Sequence, residues 1–327
     1  MFPRNPGARS LSRTIVKTSI VLAGLLALSS TASAQQRVVI GTPGSLGDAS
    51  LAVYVAIDRG FYKEAGIDAE VVDFKGGAPG IQALIGNGVQ YVIAAPEHVV
   101  RLRTRGVDGV VAFALDTRHT YALITPEKSS IKAFKDLKGR KVGITSPGSL
   151  TENLVKLEAL HSGLNPATDI ELVGAGVGIA QKSAIDNGRV DAGMFGNLDV
   201  LQFAEPGKYR IVYDWRTQSV PSLALLSREK WIKDNPAIAK GIVQATLKAQ
   251  KLILSDKALA AQALSKLYPN FSKDTVAKVI DSLSYRLSPD GTYTQEQFDH
   301  LQNDLIELDP SLKRADFKVA VPGTYLK

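Results

Sequence analysis

The chain has 327 residues, a formal net charge of +7 from 39 basic and 32 acidic side chains, and no cysteine. The absence of cysteine excludes disulfide bonds, a thiolate metal site and a cysteine nucleophile, so packing must stabilise the fold. A nucleic-acid partner is not expected, because such proteins concentrate Lys and Arg on one element and this chain mixes both signs.

The first 34 residues have the pattern of a secretory signal peptide. Four basic residues precede the apolar run at residues 20–28, and Ala32-Ser33-Ala34 supplies a small-residue cleavage site. The run is shorter than the roughly 20 apolar residues that a membrane-spanning helix needs. We therefore expect cleavage near Ala34 and a periplasmic mature chain, which keeps 293 of the 327 residues and a net charge of +3.

Short apolar runs alternate with helical patterns from Val38 to Phe195, which predicts α/β units with mostly parallel strands. Asp48 is predicted to cap the first helix, after a strand at residues 37–41 and a glycine-rich loop at 42–47. Gly66 is placed to end the next helix in a left-handed conformation. The remaining elements predicted in this unit are a strand at residues 69–74, a helix at 78–85 and a strand at 91–94.

The second unit repeats this order. Its predicted elements are a strand at residues 141–144, a loop at 145–150, a helix at 151–161 that stops at Gly163, and strands at 170–173 and 192–195. The apolar stretches 110–115 with 121–125, and 211–213 with 222–227, are placed to cross between the units. The pattern is helical from Arg228 onward, with helices predicted at residues 260–267, 275–285 and 295–308. We expect one lobe from residues 35–118 and 221–327, and a second from residues 119–220.

Four segments in this order resemble a known family. They are VYVAIDRGFYKEAGI at residues 53–67, IKAFKDLKGRKVG at 131–143, LHSGL at 160–164 and NGRVDA at 187–192. Together they are similar to the periplasmic substrate-binding proteins of alkanesulfonate, taurine, nitrate and thiamine-precursor import systems. The resemblance implies a type II periplasmic-binding fold, with two α/β lobes, two crossing segments and a helical C-terminal extension. It also implies a small-molecule ligand held between the lobes and an ABC permease partner in the inner membrane.

Ligands of open α/β sheets collect beyond the carboxyl ends of the strands. The candidate ligand-binding residues in such loops are Ser45, Leu46 and Gly47; Pro96, Glu97 and His98; Ser146, Gly148, Ser149 and Thr151; and Asn197. The loop at residues 146–151 opens a helix, whose N-terminus attracts anions. The alternative is that Ser149 or Thr151 only caps that helix.

Arg118 is a further candidate, because it lies at the first crossing and a guanidinium can bind a carboxylate or sulfonate with two hydrogen bonds. Its alternative role is a hinge salt bridge with Asp116 or Asp214. Glu97 has two interpretations as well. It either accepts a hydrogen bond from a ligand amino group or is a capping or solvated carboxylate.

Enzyme signatures are weak. Residues 174–179 follow a predicted strand and contain three glycines, as a dinucleotide-binding fingerprint does. Ile179, however, stands where that fingerprint has Gly or Ala. The four histidines have no metal-ligand spacing. We therefore predict a monomeric binding protein without enzyme activity, cofactor or metal, which captures a small organic anion by lobe closure for an ABC importer. The alternatives are a neutral, thiamine-precursor-like heteroaromatic ligand, or an exported enzyme or sensory protein that uses the same cleft.

Overall fold

The computed structural model describes residues 35–44, 47–204 and 207–326. The predicted signal peptide and the candidates Ser45 and Leu46 therefore lie outside the described residues. Among the described helices, none combines the length and the apolar character that a membrane crossing requires.

Ten strands form two five-stranded sheets within the described ranges. In chain order they are β1 (Gln36–Thr42), β2 (Ile67–Asp73), β3 (Tyr91–Ala94), β4 (Gly109–Ala114), β5 (Tyr121–Pro126), β6 (Arg140–Ile144), β7 (Ile170–Gly174), β8 (Ala192–Gly196), β9 (Tyr209–Asp214) and β10 (Ala224–Arg228). The strand orders are β2-β1-β3-β10-β4 and β7-β6-β8-β5-β9.

Each sheet is parallel except at its fourth position, where β10 or β5 is antiparallel to both neighbours. That antiparallel strand is the one that the chain enters after crossing from the other sheet. Two equivalent α/β lobes with two crossing segments result, as the resemblance implied. Buried Asp116 ties the crossing segments together, because its Oδ1 accepts the backbone N–H of Ser222 and of Leu223, both at 2.9 Å.

The helices cover both faces of both sheets. They are α1 (Leu51–Asp58), α2 (Phe61–Glu64), α3 (Gly77–Ile85), α4 (Glu97–Thr104), α5 (Leu150–His161), α6 (Ile179–Asp186), α7 (Asn197–Phe203), α8 (Glu229–Asp234), α9 (Pro236–Ser255), α10 (Lys257–Leu267), α11 (Lys273–Arg286), α12 (Gln295–Leu308) and α13 (Phe317–Ala320). The C-terminal helices pack on the first sheet, with α9 to α11 on one face and α12 and α13 on the other. Helices α5 to α7 cover the second sheet.

The structure confirms the predicted helix ends at Gly66 and Gly163. Gly66 and Gly163 have φ of +74° and +76°, which side chains rarely adopt, and each follows a helix as predicted. The N-cap prediction for Asp48 was wrong. Helix α1 begins after Ser50, and no side chain caps it. The Asp48 carboxylate is buried and contacts an arginine, because a buried charge needs a partner more than a helix end needs a cap.

Candidate ligand-binding cleft

A cleft of about 520 Å³ lies between the two sheets. Its wall includes the turn after β1, the turns after β6, β7 and β8, the first crossing segment, and the residues that follow α10. The carboxyl ends of parallel strands from both lobes therefore face one space, as expected for a ligand site in this architecture.

A buried ion pair supports the wall of the cleft. Asp48, which lines the cleft, pairs with Arg286, and these residues are 4% and 1% exposed. Arg286 Nη2 donates to Thr120 Oγ1 at 2.7 Å on the first crossing segment. Asn197 Nδ2, from the second lobe, donates to Asp48 Oδ2 at 2.7 Å. The pair therefore links both lobes and the hinge at one point.

A second arginine reaches the same group. Arg216 forms a bidentate pair with Asp214, with N–O distances of 2.8 and 2.7 Å. Its Nη1 also donates to Asn197 Oδ1 at 3.0 Å. Both ends of the Asn197 amide are therefore used, one toward each charged pair, and this side chain is held in a fixed orientation at the cleft.

Asp199 is the other carboxylate of the lining. Burial, together with the charge of Asp48, raises the pKa of Asp199 to about 7. Gly178, at φ +56°, lies against it, since a Cβ built at that glycine would be 3.3 Å from Asp199 Oδ1. The glycine leaves room for this carboxylate beside the backbone.

Aromatic and apolar side chains complete the wall. Tyr268 and Phe271 stack at 4.8 Å between ring centroids, with 24° between their planes, and Tyr121 is a third aromatic side chain of the lining. The described lining residues include no Lys, Arg or His. Within the described ranges, no group of His, Asp and Glu side chains is arranged to hold a metal ion. The cleft thus offers ring surfaces and hydrogen-bond acceptors without an unpaired cation.

Of the residues predicted to bind ligand, Gly47 and Asn197 line this cleft. The loop at residues 146–151 lies against residues 76–78 of the first lobe, in a contact that we call the lobe seam. Ser149 Oγ accepts the backbone N–H of Ala78 at 3.2 Å and contacts Ser146 Oγ at 2.7 Å.

Neither Gly148 nor Thr151 lines the described cleft. A Cβ at Gly148 would lie 3.6 Å from Ala78, so this glycine belongs to the lobe seam. Thr151 is buried, and its Oγ1 accepts the backbone N–H of Thr145 at 3.0 Å. Ser146, Gly148 and Ser149 thus meet the other lobe, while Thr151 braces the turn that follows β6.

Pro96, Glu97 and His98 are buried at the start of α4, outside the cleft lining. Glu97 Oε1 accepts a hydrogen bond from Asn153 Nδ2 of the second lobe at 2.5 Å. Burial raises the pKa of Glu97 to about 7 and lowers that of His98 to about 4, so the imidazole is neutral. The Glu97 carboxyl is therefore neither solvated nor a helix cap, and forms a further contact between the lobes.

Arg118 also lies outside the described lining. Its Nη1 donates to the Thr217 carbonyl at 3.1 Å, and its guanidinium lies 5.9 Å from the Tyr285 ring centroid. The hinge salt bridge considered for Arg118 was wrong, because Asp214 pairs with Arg216 and Asp116 accepts backbone N–H groups. Arg118 instead connects the two crossing segments through a carbonyl group.

The comparisons with known proteins agree with this architecture. Residues 49–259 match the family model described as NMT1/THI5 like. A Bacillus subtilis (strain 168) protein named as a binding protein, YtlA, is 23% identical over 259 residues, which is 76% of this chain and 77% of that protein. A 4-amino-5-hydroxymethyl-2-methylpyrimidine phosphate synthase from Schizosaccharomyces pombe is 31% identical over 158 residues, which is 47% of this chain and 43% of that enzyme.

Two solved structures illustrate the shared fold. A Bordetella bronchiseptica RB50 protein superposes with a TM-score of 0.81 and 25% identity, covering 89% of this chain and 95% of that chain. The alkanesulfonate-binding protein SsuA from Xanthomonas axonopodis pv. citri, bound to MOPS, has a TM-score of 0.71 and 17% identity, covering 86% and 96%. The family match extends over more than half of the sequence, and the chain therefore belongs to the NMT1/THI5-like family and has the fold of periplasmic solute-binding proteins.

Proposed function

We propose that this protein is the extracytoplasmic solute-binding component of an ABC importer and that it captures a small molecule by closing its lobes. The observation that carries the proposal is that residues of both sheets and of the crossing segment line one cleft of about 520 Å³. A ligand drives closure only by its greater affinity for the closed state, which requires contacts with both lobes. The lobe bounds, at residues 35–118 with 221–327 and at 119–220, form part of this proposal.

The proposal also includes the cellular location of the protein and its protein partner. The mature chain acts as a periplasmic monomer and delivers its ligand to a permease in the inner membrane. The relation to a pyrimidine phosphate synthase makes an enzyme the second candidate. The described lining has neither a histidine nor a cysteine that could act as base or nucleophile, which favours binding without turnover.

The cleft lining favours a planar heteroaromatic ligand over an organic anion. Tyr268 and Phe271 offer ring surfaces, and Gln202 offers an amide group. A sulfonate or nitrate would lose its hydration without meeting an unpaired basic group in the described lining, which is costly. The organic anion stays a prediction, which the following screen tests, and binding through Ser146, Ser149 or Arg118 also stays a prediction.

A thermal-shift screen of the mature chain tests the proposal. The compounds are taurine, alkanesulfonates, nitrate and a set of aminopyrimidines. A true ligand at about 100 times its dissociation constant adds about 2.7 kcal/mol to stability, which is easily seen as a rise in Tm. Small-angle scattering of the stabilised sample should then show a smaller radius of gyration, and mass spectrometry should recover the ligand unchanged. Turnover, or binding without compaction, would contradict the proposal.

Gly44→Ala should weaken binding of the best compound from that screen about tenfold, because overpacking of about 1.4 kcal/mol opposes closure. A Cβ at Gly44 would lie 2.9 Å from Val177 Cγ2 of the other lobe, and Gly44 does not have positive φ. Isothermal titration measures the loss, while the Tm of the unliganded protein should be nearly unchanged. Adding Val177→Ala should restore the affinity, and a double variant as weak as Gly44→Ala would count against closure at this point.

A further inference from the structure

The charges around the cleft do not balance. Two arginines contact lining residues, and each is already neutralised by an aspartate. Arg286 is held by Asp48, and Arg216 is held by Asp214 through two hydrogen bonds. Asp199 also lines the cleft, but within the described ranges it has no hydrogen-bond or ion-pair partner. The lining therefore contains one carboxyl group that has no counter-charge when it is ionised.

A role for Asp199 in capping its own helix does not account for this position. Gly196 is the N-cap residue of α7, and no side chain caps that helix. The carboxylate is half-buried beside the backbone of Gly178, where water solvates it incompletely. Burial near Asp48 also raises its pKa to about 7, which means that its charge is costly in the unliganded protein. A carboxylate whose ionisation costs free energy in the unliganded protein, and which has no partner there, is suited to bind a ligand that supplies hydrogen bonds or a positive charge.

An aromatic wall faces the same space. Tyr268 lines the same cleft as Asp199 and Asp48, and burial together with the charges of these two carboxylates raises the pKa of its phenol. Phe271 stacks on Tyr268. Aromatic faces attract delocalised cations, and a planar N–H donor fork matches a carboxylate with two hydrogen bonds.

We propose that the ligand is a planar organic cation, an amidinium or a protonated amino-heteroaromatic, whose N–H groups bind the carboxylate of Asp199 while its ring lies against Tyr268 and Phe271. This inference rests on the proposed function of the cleft and names its ligand class. Asp48 sets the specificity less directly, because its Oδ2 already accepts hydrogen bonds from Arg286 and Asn197 and its Oδ1 accepts the backbone N–H of Ala49.

Three isosteric probes separate charge from shape. Benzamidine is a cation, benzamide is neutral and benzoate is an anion, on the same ring. At about pH 8, where Asp199 is ionised, benzamidine should bind the mature protein at least about tenfold more tightly than the other two in isothermal titration. A preference for benzoate or taurine, with compaction in scattering, would overturn this inference and leave the proposed function standing. Failure of every probe and every screened compound to bind would overturn both.

The variant Asp199→Asn tests whether Asp199 is the carboxylate that binds the cation. It should lower benzamidine affinity about tenfold, to the level of benzamide, and leave benzamide binding unchanged. The unliganded variant should have a Tm equal to or above that of the wild type, since a costly charge is removed, whereas a purely structural aspartate would give a lower Tm. Asp68→Asn, which removes an exposed charge on β2, is the matched control and should change neither affinity. Unchanged benzamidine affinity in Asp199→Asn would overturn the assignment.

Discussion

Arg286→Met is expected to destabilise the protein by about 3–5 kcal/mol, because removal of one member of a buried ion pair leaves the other charge uncompensated. Asp48 would lose its charged partner, and Asp116, whose Oδ2 has no hydrogen-bond partner in the described residues, would lose a nearby positive charge. Thr120 would lose the 2.7 Å hydrogen bond that ties the hinge to α11. Urea unfolding at about pH 8, followed by circular dichroism, measures the loss.

Two further variants make this result interpretable. Arg37→Met breaks an ion pair with Glu70 in which the side chains are 67% and 48% exposed, and it should cost less than about 1 kcal/mol. The double variant Asp48→Asn with Arg286→Met should recover most of the loss, since the orphaned charge is then gone. If Arg286→Met is no more harmful than Arg37→Met, the buried pair does not organise the hinge.

Much of the fold follows from local patterns in the sequence. The strand Tyr91–Ala94 and the helix Gln295–Leu308 have the predicted bounds, because a short apolar run between turn residues and a 3.6-residue periodicity are both local properties. The helix ends at Gly66 and Gly163 are also predictable from local sequence, because the positive φ at these positions favours glycine. The alternation of these elements was enough to predict two α/β lobes.

The cleft was predicted less completely, because its chemistry depends on distant residues. Gly47 and Asn197 line the cleft, and both were candidates because they lie in the segments that follow predicted strands. Arg286 lies 238 positions from Asp48, and no local pattern marks it as the partner of that aspartate. Asp48 was consequently assigned to a helix cap.

The role of the loop at residues 146–151 also could not be predicted from local sequence. A serine-rich helix start is compatible with an anion site or with a contact between lobes. Only the approach of Ala78, 71 positions away, distinguishes them in the folded chain. Asp199 had a usable local signal, because it lies two residues after the ligand-binding candidate Asn197, in the first turn of α7.

Glu97→Gln should stabilise the protein relative to wild type by roughly 2–3 kcal/mol more at pH 8 than at pH 5. Burial raises the pKa of Glu97 from 4.5 to about 7. The folded state therefore keeps this proton at pH values where the unfolded chain has released it, so the wild type loses stability as pH rises from about 4.5 to about 7. Glutamine is neutral throughout, and its Oε1 can still accept the hydrogen bond from Asn153.

Comparing the variant with the wild type at each pH isolates the contribution of Glu97 to the pH dependence of stability. Burial lowers the pKa of His98 to about 4 and that of His119 to about 3, so both histidines oppose the carboxyl by destabilising the fold as pH falls below about 6.5. Their contribution is common to both proteins and cancels in the difference. Glu70→Gln, at a surface carboxylate, should give no comparable change between the two pH values. A pH-independent difference for Glu97→Gln would mean that Glu97 is ionised in the folded state, and its contact with Asn153 would then hold the lobes together as a charged hydrogen bond.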